Sequence, residues 1–319
     1  MDEPIVYIQD LCKKYNAKKE EFALESLNLS INRGTLFGLI GPDGAGKSTT
    51  LRILATIISP TSGKASVNGF DVQTEVEKVR GQIGYMPQNF SLYQDLSVIE
   101  NLNFFAEIQR MPLDQRHERI ERMLAFTHLG QFQHRRARNL SGGMKKKLAL
   151  ACALVHNPRV LILDEPSTGV DPVSRRELWE ILASVVEDGV TVIVSTPYMD
   201  EAERCHKAAI LYHGQVIANG STSDLRLSLP FDILEVKAKP RKAARQLIST
   251  LDGIYDWRPV GDAFRITVEK SLTDKVLAEL QKELDAQALD TRLLRQTTPS
   301  MEDVFVYQAG ISRGNHESL

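Results

Sequence analysis

Cysteine is scarce in this sequence: Cys12, Cys152 and Cys205 are the three in 319 residues, and no two stand at a paired spacing. A disulfide framework is disfavoured. The expectation is idle or buried thiols in a reducing compartment, with a metal or redox site as the alternative. Long apolar runs are missing. None approaches the ~20 residues that a membrane-crossing helix needs, so any work at a membrane has to pass through a partner. The opening "MDEPIVYIQD" is acidic and lacks the basic-then-apolar order of a signal peptide, which leads to the expectation of a soluble, cytoplasmic chain. Excess charge is missing too: 39 Lys and Arg against 41 Asp and Glu leave a net charge of −2. That removes the electrostatic footprint of a dedicated nucleic-acid binder, and no nucleic-acid partner is expected. Neither an internal repeat nor a low-complexity tract is found.

What is present is a globular composition, 42% hydrophobic and 25% charged, at a length that suits two domains. "IVYIQDLCKKY", "FALESLNLSI" and "TLFGLI" predict strands up to about residue 39, followed by a glycine-rich turn and the helix "KSTTLRILATII". "KASVNGF" and "QIGYMPQ" read as further strands, and residues 97–155 turn helical. "RVLILDEP" is a buried strand ending in acids, with a helix over about 172–187 after it. The β-branched run "VTVIVST" then opens a helix at "MDEAERC", and a hairpin is expected around His213 and Gly214. A composition shift near "STSDLRLSLP" marks a boundary. Past it the pattern is β, α, β, α, β and a short last helix at "SMEDVFVYQ", a small α+β domain of ferredoxin-like type over 230–309 with a flexible tail at 310–319.

"GPDGAGKS" (residues 41–48) matches G-x-x-x-x-G-K-[ST] between a strand and a helix, the context that this motif requires. Gly41, Gly44 and Gly46 let the backbone wrap closely, so that main-chain N–H groups point inward and cradle phosphates, and Gly41, Pro42, Asp43, Gly44, Ala45, Gly46, Lys47, Ser48 and Thr49 are the expected nucleotide-binding run. The helix begun at Lys47 adds its positive end. Lys47 neutralises β/γ-phosphate charge and Ser48 offers a hydroxyl to Mg²⁺, so ATP and Mg²⁺ are the expected cofactors. "VLILDEP" presents Asp164 to the metal and Glu165 beside it, a carboxylate able to take a proton from an attacking water. In "NLSGGMKKKLALA", Ser141, Gly142 and Gly143 form a cap and a glycine nest at a helix start, a second anion-binding terminus. Two cradles in one chain suggest a dimer, each nucleotide held between one chain's loop and the other's nest. Lys145, Lys146 and Lys147 are expected on a solvated face.

These motifs, in this order, resemble the nucleotide-binding subunit of an ATP-binding-cassette (ABC) transporter over residues 5 to about 220. The resemblance implies a RecA-like P-loop core with an antiparallel β subdomain and an inserted helical subdomain at about 90–157, together spanning 1–222. Met144 departs from the usual glutamine of the signature "LSGGQ". By the same resemblance Gln88, in "YMPQ", touches Mg²⁺ and the attacking water, "STGVD" (residues 167–171) crosses the dimer interface, and Tyr15 stacks on adenine unless it is a half-buried strand residue. The ending "TTPSMEDVFVYQ" resembles that of ABC-2 exporter subunits, and Asp43 resembles the first cassette of tandem-cassette members of that group. The implied partners are a transmembrane ABC-2 permease and a second ATP-binding subunit, placing the chain on the inner face of the membrane. "PQNFSLYQDLSV" (residues 87–98) is the expected docking surface, with Phe90, Leu92 and Tyr93 either receiving a coupling helix or filling a core.

One position breaks the family pattern. A histidine that reaches the γ-phosphate stands in the family where this chain has Pro197. Proline has no N–H and no polar side chain. The expectation is a site that binds ATP and hydrolyses it slowly, and a heterodimer with a different ATPase rather than a homodimer. A soluble ABC ATPase of ribosomes or DNA, and an ATP-sensing subunit without turnover, are the alternatives.

Overall fold

A computed structural model of the protein describes residues 3–16, 21–89 and 92–316. In chain order, β1 (Val6–Lys13), β2 (Leu24–Ile31) and β3 (Leu36–Ile40) precede α1 (Lys47–Leu54), and β4 (Ser62–Val67), β5 (Phe70–Asp71), α2 (Val76–Arg80) and β6 (Ile83–Met86) follow. Next come α3 (Val98–Ile108), α4 (Leu113–Phe126), α5 (Gly142–Leu154), β7 (Val160–Asp164), α6 (Pro172–Glu187), β8 (Thr191–Thr196), α7 (Met199–Ala202), β9 (Lys207–Tyr212), β10 (Gln215–Ser221) and α8 (Thr222–Leu227). The remainder is β11 (Phe231–Lys239), α9 (Arg241–Thr250), β12 (Ile254–Val260), β13 (Ala263–Glu269), α10 (Thr273–Ala286), β14 (Asp290–Thr297) and α11 (Met301–His316). The chain divides into two compact units, Met1–Thr222 and Ser223–Leu319.

In the first unit a six-stranded sheet runs in the order β10-β9-β3-β8-β7-β6. All its pairings are parallel except the β9–β10 hairpin, which turns at His213 and Gly214, both at positive φ. Strands β3, β7 and β8 are buried from end to end because apolar layers cover both faces. Alternate residues serve alternate layers. Leu161, Leu163, Val192 and Val194 join the core under α3–α6, while Val160, Ile162 and Ile193 join the one under α1 and the antiparallel sheet β2-β1-β4-β5. The parallel strands β3, β6, β7 and β8 all end on one edge, which is where an open α/β sheet holds its ligand.

Helices α3 to α5 fall between β6 and β7. Ser97 and Glu100 close a capping box at the start of α3, and Asp171 caps α6 with Pro172 in its first turn. No helix among the described residues is long and apolar enough to cross a membrane. The cysteines are free thiols, and burial pushes those of Cys152 and Cys205 up, the latter to about 12.

The second unit is an antiparallel sheet in the order β12-β13-β11-β14, with α9 and α10 packed on it around Val236, Leu247, Ile266 and Leu280. The topology is ferredoxin-like, with one strand more than the sequence pattern predicts. The strand missed is β12, "IYDWRPV". Asp256, Arg258 and Pro259 break its apolar pattern, and β12 tolerates them because it lies at the sheet edge, where a proline forfeits no ladder bond. A second correction concerns the tail: α11 continues past residue 310 to His316. Asp303 clasps this helix, accepting from Arg258 at 2.7 Å, Arg265 at 2.9 Å and the Ser300 amide at 2.7 Å. Asp303→Ala should destabilise this unit by about 2 kcal/mol, since the largely buried Arg265 guanidinium loses its carboxylate and Arg258 keeps only Glu302. Faster hydrogen exchange of β11 and β13 amides would register it.

Candidate functional site

The loop between β3 and α1 is shaped by contacts that only glycine allows. A Cβ on Gly41 would stand 2.2 Å from the Leu211 carbonyl oxygen, and one on Gly46 would stand 2.8 Å from that of Ala23. Gly46 also holds φ at 104°, in the left-handed region. The loop thus wraps tightly against β9 and the start of β2. Lys47 folds back over it, its Nζ donating to the Gly41 oxygen at 2.8 Å and the Pro42 oxygen at 3.0 Å. Burial pulls the Lys47 ammonium below the ordinary lysine range, and the carboxylates of Glu165, Asp43 and Asp164 oppose that pull. Asp43 and Gly44 are exposed at the rim, and Ala45 is buried beneath it.

Strand β7 delivers Asp164, fully buried. Its Oδ1 accepts from Ser48 Oγ at 2.9 Å and Ser195 Oγ at 2.7 Å. Its Oδ2 is buried without a partner. A hydroxyl and an orphaned carboxylate oxygen side by side at the head of the phosphate loop fit Mg²⁺, which binds nucleotides through one or two protein oxygens and fills its shell with phosphate and water. Among the described residues no cluster of three or more His, Cys, Asp or Glu exists that could hold a metal alone.

Glu165 follows at φ 49°, a left-handed conformation that non-glycine residues avoid. Surrounding bonds hold it there. Its amide donates to Ser195 Oγ at 3.0 Å, and its carbonyl accepts from the Thr168 amide at 3.3 Å and Lys146 Nζ at 3.4 Å. Its carboxylate accepts from Gln88 Nε2 at 2.9 Å and Thr168 Oγ1 at 3.3 Å, and stands 3.8 Å from Lys47 Nζ. Gln88, just past the end of β6, is otherwise exposed. Strand β8 pairs Ser195 with Asp164 and Thr196 with Ile40, so Pro197 comes level with Gly41 at the head of the loop. Thr196 Oγ1 turns away to Glu201 at 2.6 Å and accepts from the Tyr198 amide. The arrangement can hold a triphosphate and a cation, and sets a carboxylate beside them to receive a proton.

The other expected residues lie around this centre. Tyr15 stands outside β1 and is 61% exposed, its hydroxyl 3.1 Å from Thr49 Oγ1, so it is not a half-buried strand residue. Ser141 Oγ accepts from the Met144 amide, and Gly143 packs so closely on α6 that a Cβ would stand 2.4 Å from Ser174 Oγ. Ser141 and Gly142 are exposed, and no bond among the described residues joins residues 141–143 to the phosphate loop. Leu92 is buried, and Tyr93 is half-exposed with its ring 4.3 Å from that of Phe104; Phe90 lies outside the described residues. The lysines of α5 overturn the expectation of a solvated face: Lys146 and Lys147 are 6% and 8% exposed, and Lys147 pairs with Glu177 of α6. The signal was available, because Gly143, Lys146, Lys147 and Leu150 recur at three- and four-residue intervals on one helical stripe.

Residues 24–168 match the family described as "ABC transporter". The chain is 36% identical over 321 residues to the probable multidrug ABC transporter ATP-binding protein YbhF of Escherichia coli (strain K12), an overlap covering all of this chain and 54% of that protein. It thus spans about half the length of that relative. It is 35% identical to the daunorubicin/doxorubicin resistance ATP-binding protein DrrA of Streptomyces peucetius, over 94% of this chain and 91% of that one. Among solved structures, the dimeric post-hydrolysis state of the ATP-binding cassette MJ0796 bound to ADP and Pi superposes with a TM-score of 0.62 at 28% identity, covering 68% of this chain and 98% of that one. The chain belongs to the ATP-binding subunits of ABC transporters, a family of P-loop ATPase cassettes.

Proposed function

We propose that the chain is the ATP-driven subunit of an ABC-2-type exporter. ATP and Mg²⁺ bind at residues 41–49 with Asp164 and Gln88, Tyr15 stacks on the base, and Glu165 accepts the proton of the attacking water. A second cassette supplies the signature turn that completes this site, while Ser141, Gly142 and Gly143 complete the other. The observation that carries this reading is the convergence of four parallel strand ends on one edge, with the signature turn left outside it. Closure on ATP and opening after hydrolysis would drive a membrane-spanning permease. A groove of about 400 Å³ lined by Ile57, Arg80, Tyr85, Leu92 and Phe105 lies where a coupling helix would dock, next to the turn that carries Gln88. Names of relatives that mention multidrug, daunorubicin or Nod factor export support the direction of transport.

The finer reading concerns Pro197. With no donor level with Gly41, the chain's own loop hydrolyses ATP slowly, and the productive assembly pairs it with a different cassette that carries a histidine, in a separate chain or a longer polypeptide. Pro197 equally supports an ATP-sensing subunit without turnover. The ribosome- or DNA-associated alternative is disfavoured because α3, α4 and α5, at 11, 14 and 13 residues, form no coiled-coil insertion. Affinity purification from detergent-solubilised membranes should recover the chain with a polytopic membrane protein. Recovery with ribosomes instead would remove the exporter reading.

A further inference from the structure

Lys146 is a buried cation for which neither the phosphate loop nor the signature turn accounts. It lies on α5, five residues beyond the cap Ser141, and its ammonium reaches past its own helix to the Glu165 carbonyl oxygen at 3.4 Å. Lys147 fastens α5 to α6 through Glu177, so the framework linking these helices does not need Lys146 as well. An ammonium in so dry a place costs more than a methionine of similar volume would, and packing alone gives no reason to keep it. Burial pulls it below the ordinary lysine range, and Glu165 and Asp164 are the two charges that oppose this. Glu165, for its part, sits at φ 49° and needs bonds on both its main-chain groups to stay there.

We infer that Lys146 is a positioning residue for hydrolysis: by donating to the Glu165 carbonyl it holds that residue's left-handed turn, and so the aim of its carboxylate at the attacking water. The inference rests on the reading of Glu165 as the base. Rotating the peptide after Glu165 would swing its side chain away from Gln88 and Lys47, with no change at the loop that binds nucleotide. The loss should therefore fall on kcat and spare KM.

The test is steady-state ATP turnover and fluorescent-nucleotide affinity of the full chain carrying Lys146→Met or Lys146→Arg, each in the wild-type and the Pro197→His background. Lys146→Met should lower kcat about tenfold with KM and nucleotide affinity within about twofold, the loss typical of a charged hydrogen bond. Lys146→Arg, which keeps a donor, should restore at least half of the turnover. Unchanged kcat in Lys146→Met, or equal losses in both variants, overturns the inference. Should Lys146→Met not fold, Lys146→Gln takes its place. That side chain is one bond too short to reach the carbonyl, so the same tenfold loss is expected and unchanged turnover is equally fatal. Failure of Pro197→His to raise turnover would strike the account of Pro197 alone, because the Lys146→Met ratio is still read in the wild type.

Discussion

Replacing Pro197 with histidine is expected to raise ATP turnover at the chain's own phosphate loop about a hundredfold. Register fixes the geometry: Thr196 pairs with Ile40 of β3, so residue 197 stands beside Gly41, where the terminal phosphate would lie. Phosphoryl transfer leaves a protein little to do beyond positioning and charge stabilisation, so a missing donor there acts almost wholly on the transition state. One such donor contributes about 3 kcal/mol, which gives the hundredfold figure. Its neighbours do not replace it. The Tyr198 amide is taken by Thr196 Oγ1, and that hydroxyl is spent on Glu201. Nucleotide affinity should shift by less than about threefold, since the glycine loop, Lys47 and Ser48 are untouched. Steady-state turnover and nucleotide titration of the two proteins, alone and mixed with a histidine-bearing cassette, measure both quantities. Fast wild-type turnover that the substitution leaves unchanged would remove the account of Pro197.

Glu165→Gln, made in the Pro197→His background so that a rate exists to be lost, should reduce turnover by about a hundredfold or more. An amide keeps the contacts to Gln88 and Thr168 but cannot take a proton. Binding persists, so nucleotide-bound pairs of cassettes should accumulate, visible by sedimentation as a species that requires both ATP and Mg²⁺. Adding Ser141→Arg, which fills the signature turn, should dissolve that species while each chain still binds ATP. A Glu165→Gln protein that stays monomeric with saturating ATP, in the presence of its partner cassette, would defeat the sandwich.

The legible part of this molecule was the part written in backbone-specific residues. Gly41 and Gly46 had to be glycine because carbonyl oxygens stand within 3 Å of where a Cβ would be, and spacing alone reveals such positions. Asp164 and Glu165 were legible because four buried apolar residues run straight into two acids downstream of a phosphate loop. Less was visible wherever tertiary context outweighed local pattern. Strand β12 survives charges and a proline by lying at an edge, which no local pattern announces. The start of α11 is anchored by Glu302 and Asp303 on the arginines of a sheet some forty residues away. From the sequence Lys146 reads as a surface lysine because charge is a stronger prior than a three-four repeat, and only the fold brings the Glu165 and Asp164 carboxylates near its ammonium.

Helix α5 has one further consequence. In the sandwich proposed above its first turn would meet the neighbour's nucleotide, while its second reaches the Glu165 carbonyl of its own protomer, about 8 Å further along the same rod. There, a tilt of that rod when one compartment releases its phosphate is felt in the other as a loosened backbone at Glu165. The two compartments then keep time mechanically, and a slow one sets the tempo of its faster neighbour without any chemistry passing between them.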